Sequence, residues 1–327
     1  MNSRERVLTT INHKIPDRVP LFFNAIDAKL VRAIGQGNMV ETWKRLGVDL
    51  FVIVRRTWCG DKPSGLGYSP TPPPPHESLG GAGMAGWNGI DEFGRKWEHG
   101  RYVGGAVASR EDLHRYSPEP RLRERFDRTL IDNWKVNDPD RAYVLFSHTG
   151  PVGLTIESMG YVEFCYGLYD KRALIEESID LKTELFIETS RYAVELGLDF
   201  DIMGDDMGFK DHGYISPKDF RELALPSYRR IVDSIPLPVF WHSEGNFQDY
   251  IPMAVDAGIK GIHGLEPGAG MDMGKIKREF GKDLVLMGNM DGRRKRCAEI
   301  PRYPVGFLVI DRCHHSVAAF HHFLRHI

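Results

Sequence analysis

The stretch Pro238-Val-Phe-Trp-His-Ser-Glu-Gly-Asn246 decides the fold, because it changes abruptly from apolar to polar residues. Residues 239–241 form an apolar run of strand length, and a helical pattern begins at Phe247. A buried strand that ends in polar residues just before a helix is typical of a (β/α)8 barrel, whose chemistry lies at such junctions. His242 and Glu244 are two residues apart, so on an extended backbone they point the same way. The pair indicates a metal site or acid–base chemistry, with hydrogen bonds to neighbouring loops as the structural alternative.

The same change from apolar to polar residues recurs along the second half of the chain. Polar residues follow each predicted strand: Asp205 and Asp206 after 200–203, Glu266 after 260–264, and Asn289 and Asp291 after 283–287. The last three strands begin at residues 238, 260 and 283, a spacing that predicts parallel strands with helical crossovers. One site built from many strand ends favours a closed barrel over an open sheet. Neither a GxGxxG after a strand nor a GxxxxGK[ST] motif occurs, which argues against nucleotide-binding folds.

The first half of the chain contains three further predicted strands, whose ends supply candidate substrate-binding residues. The strands at 19–23, 48–54 and 142–146 end at Asn24, Arg55 and His148. An arginine that leaves a strand suits an anionic substrate group, although surface salt bridges explain it equally well. We expect Asn24, His148 and Tyr161 to line the pocket, with packed polar side chains as the alternative. A Gly- and Pro-rich segment at 59–86 predicts an irregular excursion over the barrel mouth.

Composition limits the possible partners and the compartment of this protein. The 327 residues include 43 Lys and Arg against 45 Asp and Glu, a balance that gives no reason to expect nucleic acid or an anionic membrane surface. No apolar run is long enough to span a membrane, and the N-terminus lacks the pattern of a signal peptide. The four cysteines lie far apart and form no CxxC pair. We therefore expect a cytoplasmic enzyme that acts on a small molecule.

The C-terminal segment 292–327 does not follow the pattern of the preceding strands. We expect one domain over residues 1–327 in which 305–310 serves as a short eighth strand. The alternative is a truncated or frame-shifted tail that leaves the barrel open between its first and seventh strands. The fold prediction is therefore a TIM (β/α)8 barrel with an atypical or truncated C-terminal strand and helix.

Several of these motifs, in this order, are similar to those of a known family. They are Arg4-Glu-Arg-Val-Leu8, Pro16-Asp-Arg-Val-Pro20, Gly204-Asp-Asp-Met207, His242-Ser-Glu-Gly-Asn246, Gly264-Leu-Glu-Pro267 and Gly288-Asn-Met-Asp291. Over about residues 3–291 the chain resembles the uroporphyrinogen decarboxylase superfamily, which also contains the cobalamin-dependent methyltransferases. The resemblance implies a TIM barrel with its site at the C-terminal mouth.

Two branches of this superfamily differ in the residues that they have at the ends of the strands. The decarboxylases have an arginine-rich segment after the first strand and an Asp at the end of the next, whereas this chain has no arginine in 21–29 and has Arg55 at the later position. The methyltransferases bind zinc through a His-x-Cys pair and a later Cys. Here His242 is present and Glu244, which is also a competent zinc ligand, replaces the Cys. The resemblance therefore favours an enzyme that moves a methyl group from a small methoxy or methylamine compound to a corrinoid carrier protein, with either a zinc ion at His242 and Glu244 or an acid group assisting the leaving oxygen or nitrogen.

The remaining assignments follow from this branch and leave two other functions open. We expect Asp205, Asp206 and Glu266 to be catalytic, by orienting substrate or donating a proton; capping of the next turn and bonding of loop N–H groups are the alternatives. His263 lies on an alternating strand, which indicates a barrel-core histidine rather than a ligand. The alternative functions are uroporphyrinogen decarboxylation in porphyrin biosynthesis and a catalytically inactive barrel that binds a ligand.

Overall fold

The computed structural model of the chain describes residues 1–22, 28–36, 39–54, 57–59, 62–64, 87–118, 122–147, 150–289 and 307–309. Within these ranges the chain folds as a TIM barrel around an eight-stranded parallel sheet. We label its strands β1 (Leu21–Phe22), β2 (Leu50–Val54), β3 (Ala142–Ser147), β4 (Phe200–Gly204), β5 (Val239–His242), β6 (Gly261–Gly264), β7 (Val285–Gly288) and β8 (Phe307–Val309).

The order of the strands in the sheet is β1-β8-β7-β6-β5-β4-β3-β2, so that β2 to β8 follow one another in chain order and β1 pairs with β8. Asp49 donates its backbone N–H to the carbonyl of Leu21 at 2.9 Å, which brings the start of β2 against β1 and closes the sheet on itself. The strand β8 lies inside the predicted range 305–310 and pairs with both β7 and β1. These three residues fill the position between the first and seventh strands.

Strands that are buried on both faces explain the long apolar runs in the sequence. Alternate residues point into the barrel and form one cluster, which includes Phe22, Val52, Val144, Phe146, Ile202, Phe240 and Met287. The residues between them, such as Leu145 and Trp241, pack outward against the helices. The barrel interior is therefore a packed core up to its C-terminal mouth.

Helices surround the sheet and separate its strands. They span Ser3–Ile11, Ala28–Gly35, Met39–Arg45, Arg110–Arg115, Leu122–Arg125, Arg128–Asn137, Pro151–Met159, Tyr161–Asp170, Arg172–Glu195, Pro217–Asp219, Leu225–Ser234, Ile251–Asp256 and Met273–Phe280. A π-helical turn covers Phe220–Ala224, and 3₁₀ turns cover Gln248–Tyr250 and Pro267–Ala269. Within the described part of the chain, no helix is both long and apolar enough to cross a membrane.

Two small antiparallel sheets are separate from the eight-stranded sheet of the barrel. The strands Thr57–Cys59 and Lys62–Ser64 pair with each other, and Gly89–Ile90, Arg95–Glu98 and Arg101–Gly105 form a three-stranded sheet. The larger one packs on the barrel, since Ala106 and Val107 each donate a backbone N–H to the carbonyl of Ser158 at 2.9 Å.

The motif at the N-terminus closes the bottom of the barrel through one buried carboxylate. Asp49 is fully buried and accepts hydrogen bonds from Arg6 at 2.6 Å and from Arg18 at 2.8 Å. It also accepts the N–H of Leu21 at 2.8 Å. The arginines of both N-terminal motifs thus meet at the point where β1 joins β2.

Candidate functional site

The histidine at the end of β5 lies in the wall of the barrel mouth. His242 is 6% exposed and points into the barrel, where its ring lies 4.5 Å from that of His263 and 5.4 Å from that of Phe146. Its Nε2 lies 3.7 Å from Oδ1 of Asp206, and its Nδ1 is buried without a hydrogen-bond partner. The prediction that His263 is a barrel-core histidine is confirmed by its complete burial and by its position inside the barrel.

The carboxylate beside His242 belongs to the loop after β4. Asp206 is 48% exposed at its side chain, and its Oδ1 accepts the backbone N–H of Glu244 at 2.9 Å. The same oxygen therefore faces the imidazole and holds the loop after β5. A carboxylate and an imidazole thus lie next to each other at the mouth, an arrangement that suits proton transfer.

The neighbouring carboxylate points the other way, into the protein. Asp205 is buried and accepts the N–H groups of Val152 (3.3 Å) and Gly153 and the hydroxyl of Tyr228 (2.9 Å). These contacts cap the helix Pro151–Met159, whereas the structural alternative for this residue was capping of the turn that follows its own strand. Burial raises the pKa of Asp205 to about 7. A Cβ on Gly150 would lie 2.1 Å from the Cβ of Asp205, so this close approach requires glycine.

The residues after His242 turn in different directions because β5 ends there. The hydroxyl of Ser243 is buried and accepts the N–H of Met207 at 2.9 Å, whereas the side chain of Glu244 is exposed. A catalytic zinc takes three protein ligands. In the part of the chain that the structure describes, no three His, Cys, Asp or Glu side chains are placed to hold a metal. The described residues therefore do not complete a zinc site around His242 and Glu244.

The strands β6 and β7 end in the same unusual backbone turn. Gly264 and Leu265 have φ of 114° and 53°, and Gly288 and Asn289 have φ of 119° and 69°. Asn289 donates its N–H to the carbonyl of Gly264 at 3.3 Å. Glu266 follows half-buried and begins the turn Pro267–Ala269. A cavity of about 390 Å³ lies beside this rim and is lined by Pro267, Gly270, Met271, Asp272, Met273, Gly274 and Asn289.

An aromatic wall beside Asp206 completes the site. Tyr161 contacts Tyr214 at 5.5 Å and Tyr102 at 6.2 Å between ring centroids, and Tyr214 contacts Phe209 at 4.5 Å. Burial raises the pKa of Tyr161 and of Tyr214, and the charge of Asp206 contributes in the same direction. Of these four aromatic residues, the sequence analysis predicted only Tyr161 as a wall residue. Tyr102 and Tyr214 have no strand-end signal, since they reach the mouth from the three-stranded sheet and from an irregular loop.

The remaining predicted site residues, Asn24, Arg55, His148 and Asp291, lie outside the described residues.

A family model for uroporphyrinogen decarboxylase (URO-D) matches residues 100–294, which is more than half of the chain and includes β3 to β7. The protein belongs to the URO-D family.

Comparison with solved structures agrees with this URO-D assignment at the level of the fold. The chain is similar to a methyltransferase from Methanosarcina mazei, with a TM-score of 0.67 and 19% sequence identity over 96% of this chain and 93% of that chain. A search of curated proteins gave no match.

The URO-D barrel of this protein has an acidic rim over its second half. Within three residues after the ends of β4 to β7, the described residues include the carboxylates Asp206, Glu244 and Glu266 and no lysine or arginine. Asn289 and His242 supply the other polar groups of the same rim. These strand ends suit a neutral or cationic substrate better than a polyanionic one.

Proposed function

We propose that this URO-D family member is a methyltransferase, which moves a methyl group from a small methoxy or methylamine compound to a corrinoid on a partner protein. The observation that carries the proposal is the pairing of buried His242 with Asp206 at the barrel mouth. The likeness in fold to a methyltransferase over 96% of the chain supports it.

The proposed reaction is a displacement at the methyl carbon. The reduced corrinoid of the partner attacks the methyl group, and the bond from carbon to oxygen or nitrogen breaks with its electron pair left on the leaving atom. An oxygen that leaves in this way needs a proton. His242 can donate it, and the carboxylate of Asp206, 3.7 Å away, stabilises the imidazolium from which it comes.

The other residues of the site shape the mouth around this pair. Asp205 fixes the helix Pro151–Met159 and the loop that carries Asp206. The rings of Tyr161 and Tyr214 cover one side of the mouth and reduce the water around the reacting atoms. Glu266 and Asn289 lie on the rim after β6 and β7, where they can orient the donor. Zinc is not needed for any of these roles, and its binding by His242 and Glu244 stays a prediction.

The second candidate function is decarboxylation of uroporphyrinogen, which the family match to residues 100–294 favours. A porphyrinogen carries many carboxylates, and their binding needs cationic partners. The carboxylates that follow β4, β5 and β6 would instead repel such a substrate. The acidic rim therefore favours the methyltransferase.

A direct assay separates the two functions. The purified protein is mixed with cob(I)alamin, free or on a carrier protein, and with a panel of methoxy and methylated amine compounds. Formation of methylcobalamin is followed by absorbance. The His242→Ala variant should lose about 10²–10⁴-fold in rate, as is typical for a positioned acid. The control His114→Ala removes a histidine that is 57% exposed on the helix Arg110–Arg115 and should retain the rate.

Two results would contradict the proposal. One is the release of coproporphyrinogen from uroporphyrinogen by the wild-type protein, which would establish the second candidate. The other is the absence of methylcobalamin with every donor. The metal content of the wild type, His242→Ala and Glu244→Ala tests the zinc prediction in the same preparations: about one zinc per chain that both variants lose would support it.

A further inference from the structure

A short hairpin at residues 207–214 lies directly on the loop after β5. Tyr214 donates its N–H to the carbonyl of Met207 at 2.8 Å, and Gly208 and Gly213 form an antiparallel bridge inside it. Asn246 donates its N–H to the carbonyl of Phe209 at 2.6 Å. A Cβ on Gly208 would lie 2.7 Å from the backbone nitrogen of Asn246, so the two loops are in close contact. The hairpin is thus fixed at the mouth rather than extended into solvent.

This hairpin brings aromatic rings next to the carboxylate of Asp206. Its ring contacts join Phe209 to Tyr214, Tyr214 to Tyr161, and Tyr161 to Tyr102. Phe209 is 45% exposed, and the three tyrosines are half-buried, so the rings present accessible surface at the mouth. Aromatic rings attract cations over their faces, and such rings are used to bind quaternary ammonium groups.

The carboxylates at the same place carry the complementary charge. Asp206 is 48% exposed at its side chain, and its backbone is one residue from Met207, to which Tyr214 is bonded. Glu244 is exposed and is bonded through its N–H to Asp206. The bond from the N–H of Tyr214 to the carbonyl of Met207, the residue after Asp206, therefore holds the hairpin against the loop that carries both carboxylates.

Described cationic side chains near the wall do not cancel this charge. Lys210 and His212 are exposed at the turn of the hairpin, and His212 contacts the carboxylate of Asp211 at 2.6 Å. Arg95 is paired with Asp91 at 2.7 Å and with Glu157 at 2.9 Å. The buried Nδ1 of His242, which has no partner, offers a separate polar contact deeper in the mouth.

We propose that the wall of Tyr161, Tyr214 and Phe209, together with Asp206, binds a methylated onium group, a quaternary ammonium or sulfonium carried by a small molecule. As a statement about the methyl donor this inference rests on the proposed function, because it adds permanently charged donors to the methoxy and methylamine compounds proposed above. The binding of an onium group at this wall does not depend on the proposed methyl transfer.

The charge of such a donor also simplifies the transfer step. The corrinoid nucleophile attacks one methyl carbon, the carbon–nitrogen or carbon–sulfur bond breaks, and its electron pair returns to the nitrogen or sulfur. The product leaves as a neutral amine or thioether, so no proton is transferred. The proton donation assigned to His242 therefore applies to ether and amine donors and is not needed for an onium donor.

Choline and its neutral isostere 3,3-dimethylbutan-1-ol test the binding by titration calorimetry on the full chain. Both probes have the same shape, and only choline is charged. The wild type should bind choline about tenfold more tightly, which is within the usual strength of cation–π and carboxylate contacts. The preference should disappear in Tyr214→Leu and in Asp206→Asn. It should persist in Tyr214→Phe, which keeps the ring, and in Tyr169→Leu, which removes a ring that is 91% exposed on the helix Tyr161–Asp170.

Equal binding of the two probes, or binding of neither, would overturn the inference. A preference that survives in both Tyr214→Leu and Asp206→Asn would do the same, and the second variant decides the matter if Tyr214→Leu does not fold. The outcome is independent of the methyl transfer assay. Choline selectivity without methylcobalamin formation contradicts only the proposed function, whereas transfer from neutral ethers without choline binding contradicts only the onium site.

Discussion

The carboxylate of Asp206 lies 3.7 Å from Nε2 of His242, across the gap between the ends of β4 and β5. The distance is too long for a direct hydrogen bond and short enough for strong electrostatic coupling. A small movement of either side chain, or one water between them, would complete the contact. We infer that this pair is the reactive centre of the mouth.

Replacing Asp206 by Asn tests this centre without removing the loop contact. The amide oxygen of Asn still accepts the N–H of Glu244, so the melting temperature should change little. The rate of methyl transfer from a methyl ether should fall by about tenfold or more, because the imidazolium of His242 loses its neighbouring charge. Steady-state kinetics over pH 5–9 measures the effect. An unchanged rate and pH profile in Asp206→Asn would remove Asp206 from the reaction.

The neighbouring Asp205 should make folding sensitive to pH. Its folded-state pKa is raised to about 7, above the value near 3.8 of an unfolded chain, because burial disfavours the charged form. Between these two values the folded state holds a proton that the unfolded state has lost, so stability falls as pH rises, by about 1.4 kcal/mol per pH unit. Asp205→Asn removes this dependence. Urea unfolding at pH 5 and pH 7 should show the variant gaining relative to the wild type at the higher pH. The surface control Asp256→Asn, 53% exposed, should show no such gain.

A buried lysine should have the opposite dependence on pH. Lys182 is 6% exposed and donates to the hydroxyl of Ser178 at 2.6 Å, and burial lowers its pKa to about 7. The unfolded lysine holds its proton up to about pH 10.5, so stability rises with pH between about 7 and 10.5. Lys182→Met should therefore raise the melting temperature at pH 7, and this gain should shrink towards pH 9.5. A gain that is constant across this range would show that Lys182 keeps an ordinary pKa.

The N-terminal motifs should contribute to stability through Asp49. Asp49→Ala leaves Arg6 buried without one of its carboxylate partners and removes the bond to the N–H of Leu21. Loss of one partner from a buried ion pair costs about 3–5 kcal/mol. Equilibrium unfolding in urea measures the cost. The control Asp180→Ala breaks an exposed pair with Arg230 and should cost about 1 kcal/mol or less.

The sequence was sufficient to predict the barrel and the location of its mouth. Apolar runs that end in polar residues predicted β4 to β7 and the positions of His242, Glu266 and Asn289 on one rim. This worked because parallel strands buried on both faces leave a strong pattern and end at the same side.

The different roles of neighbouring residues could not be predicted from the sequence in the same way. Asp205 and Asp206 are equivalent in sequence, yet one is buried under a helix and the other faces the mouth, because the strand ends at Gly204 and the backbone turns. Tyr214 reaches the wall through an irregular hairpin, which has no periodic signal. The link from Asp49 to Arg6 and Arg18 spans 43 and 31 residues, and only the tertiary structure brings them together.

The contact between Asp206 and residue 244 is made to the backbone, not to the side chain. Evolution can therefore exchange the side chain at this position while the frame around His242 stays the same. A glutamate gives the mouth a hard oxygen donor, and a cysteine would give it a soft sulfur donor. Such a substitution would change the ligand chemistry and keep the backbone contact. The side chain at position 244 can therefore change next to a fixed His242. This is a simple way for one barrel to acquire different reactions.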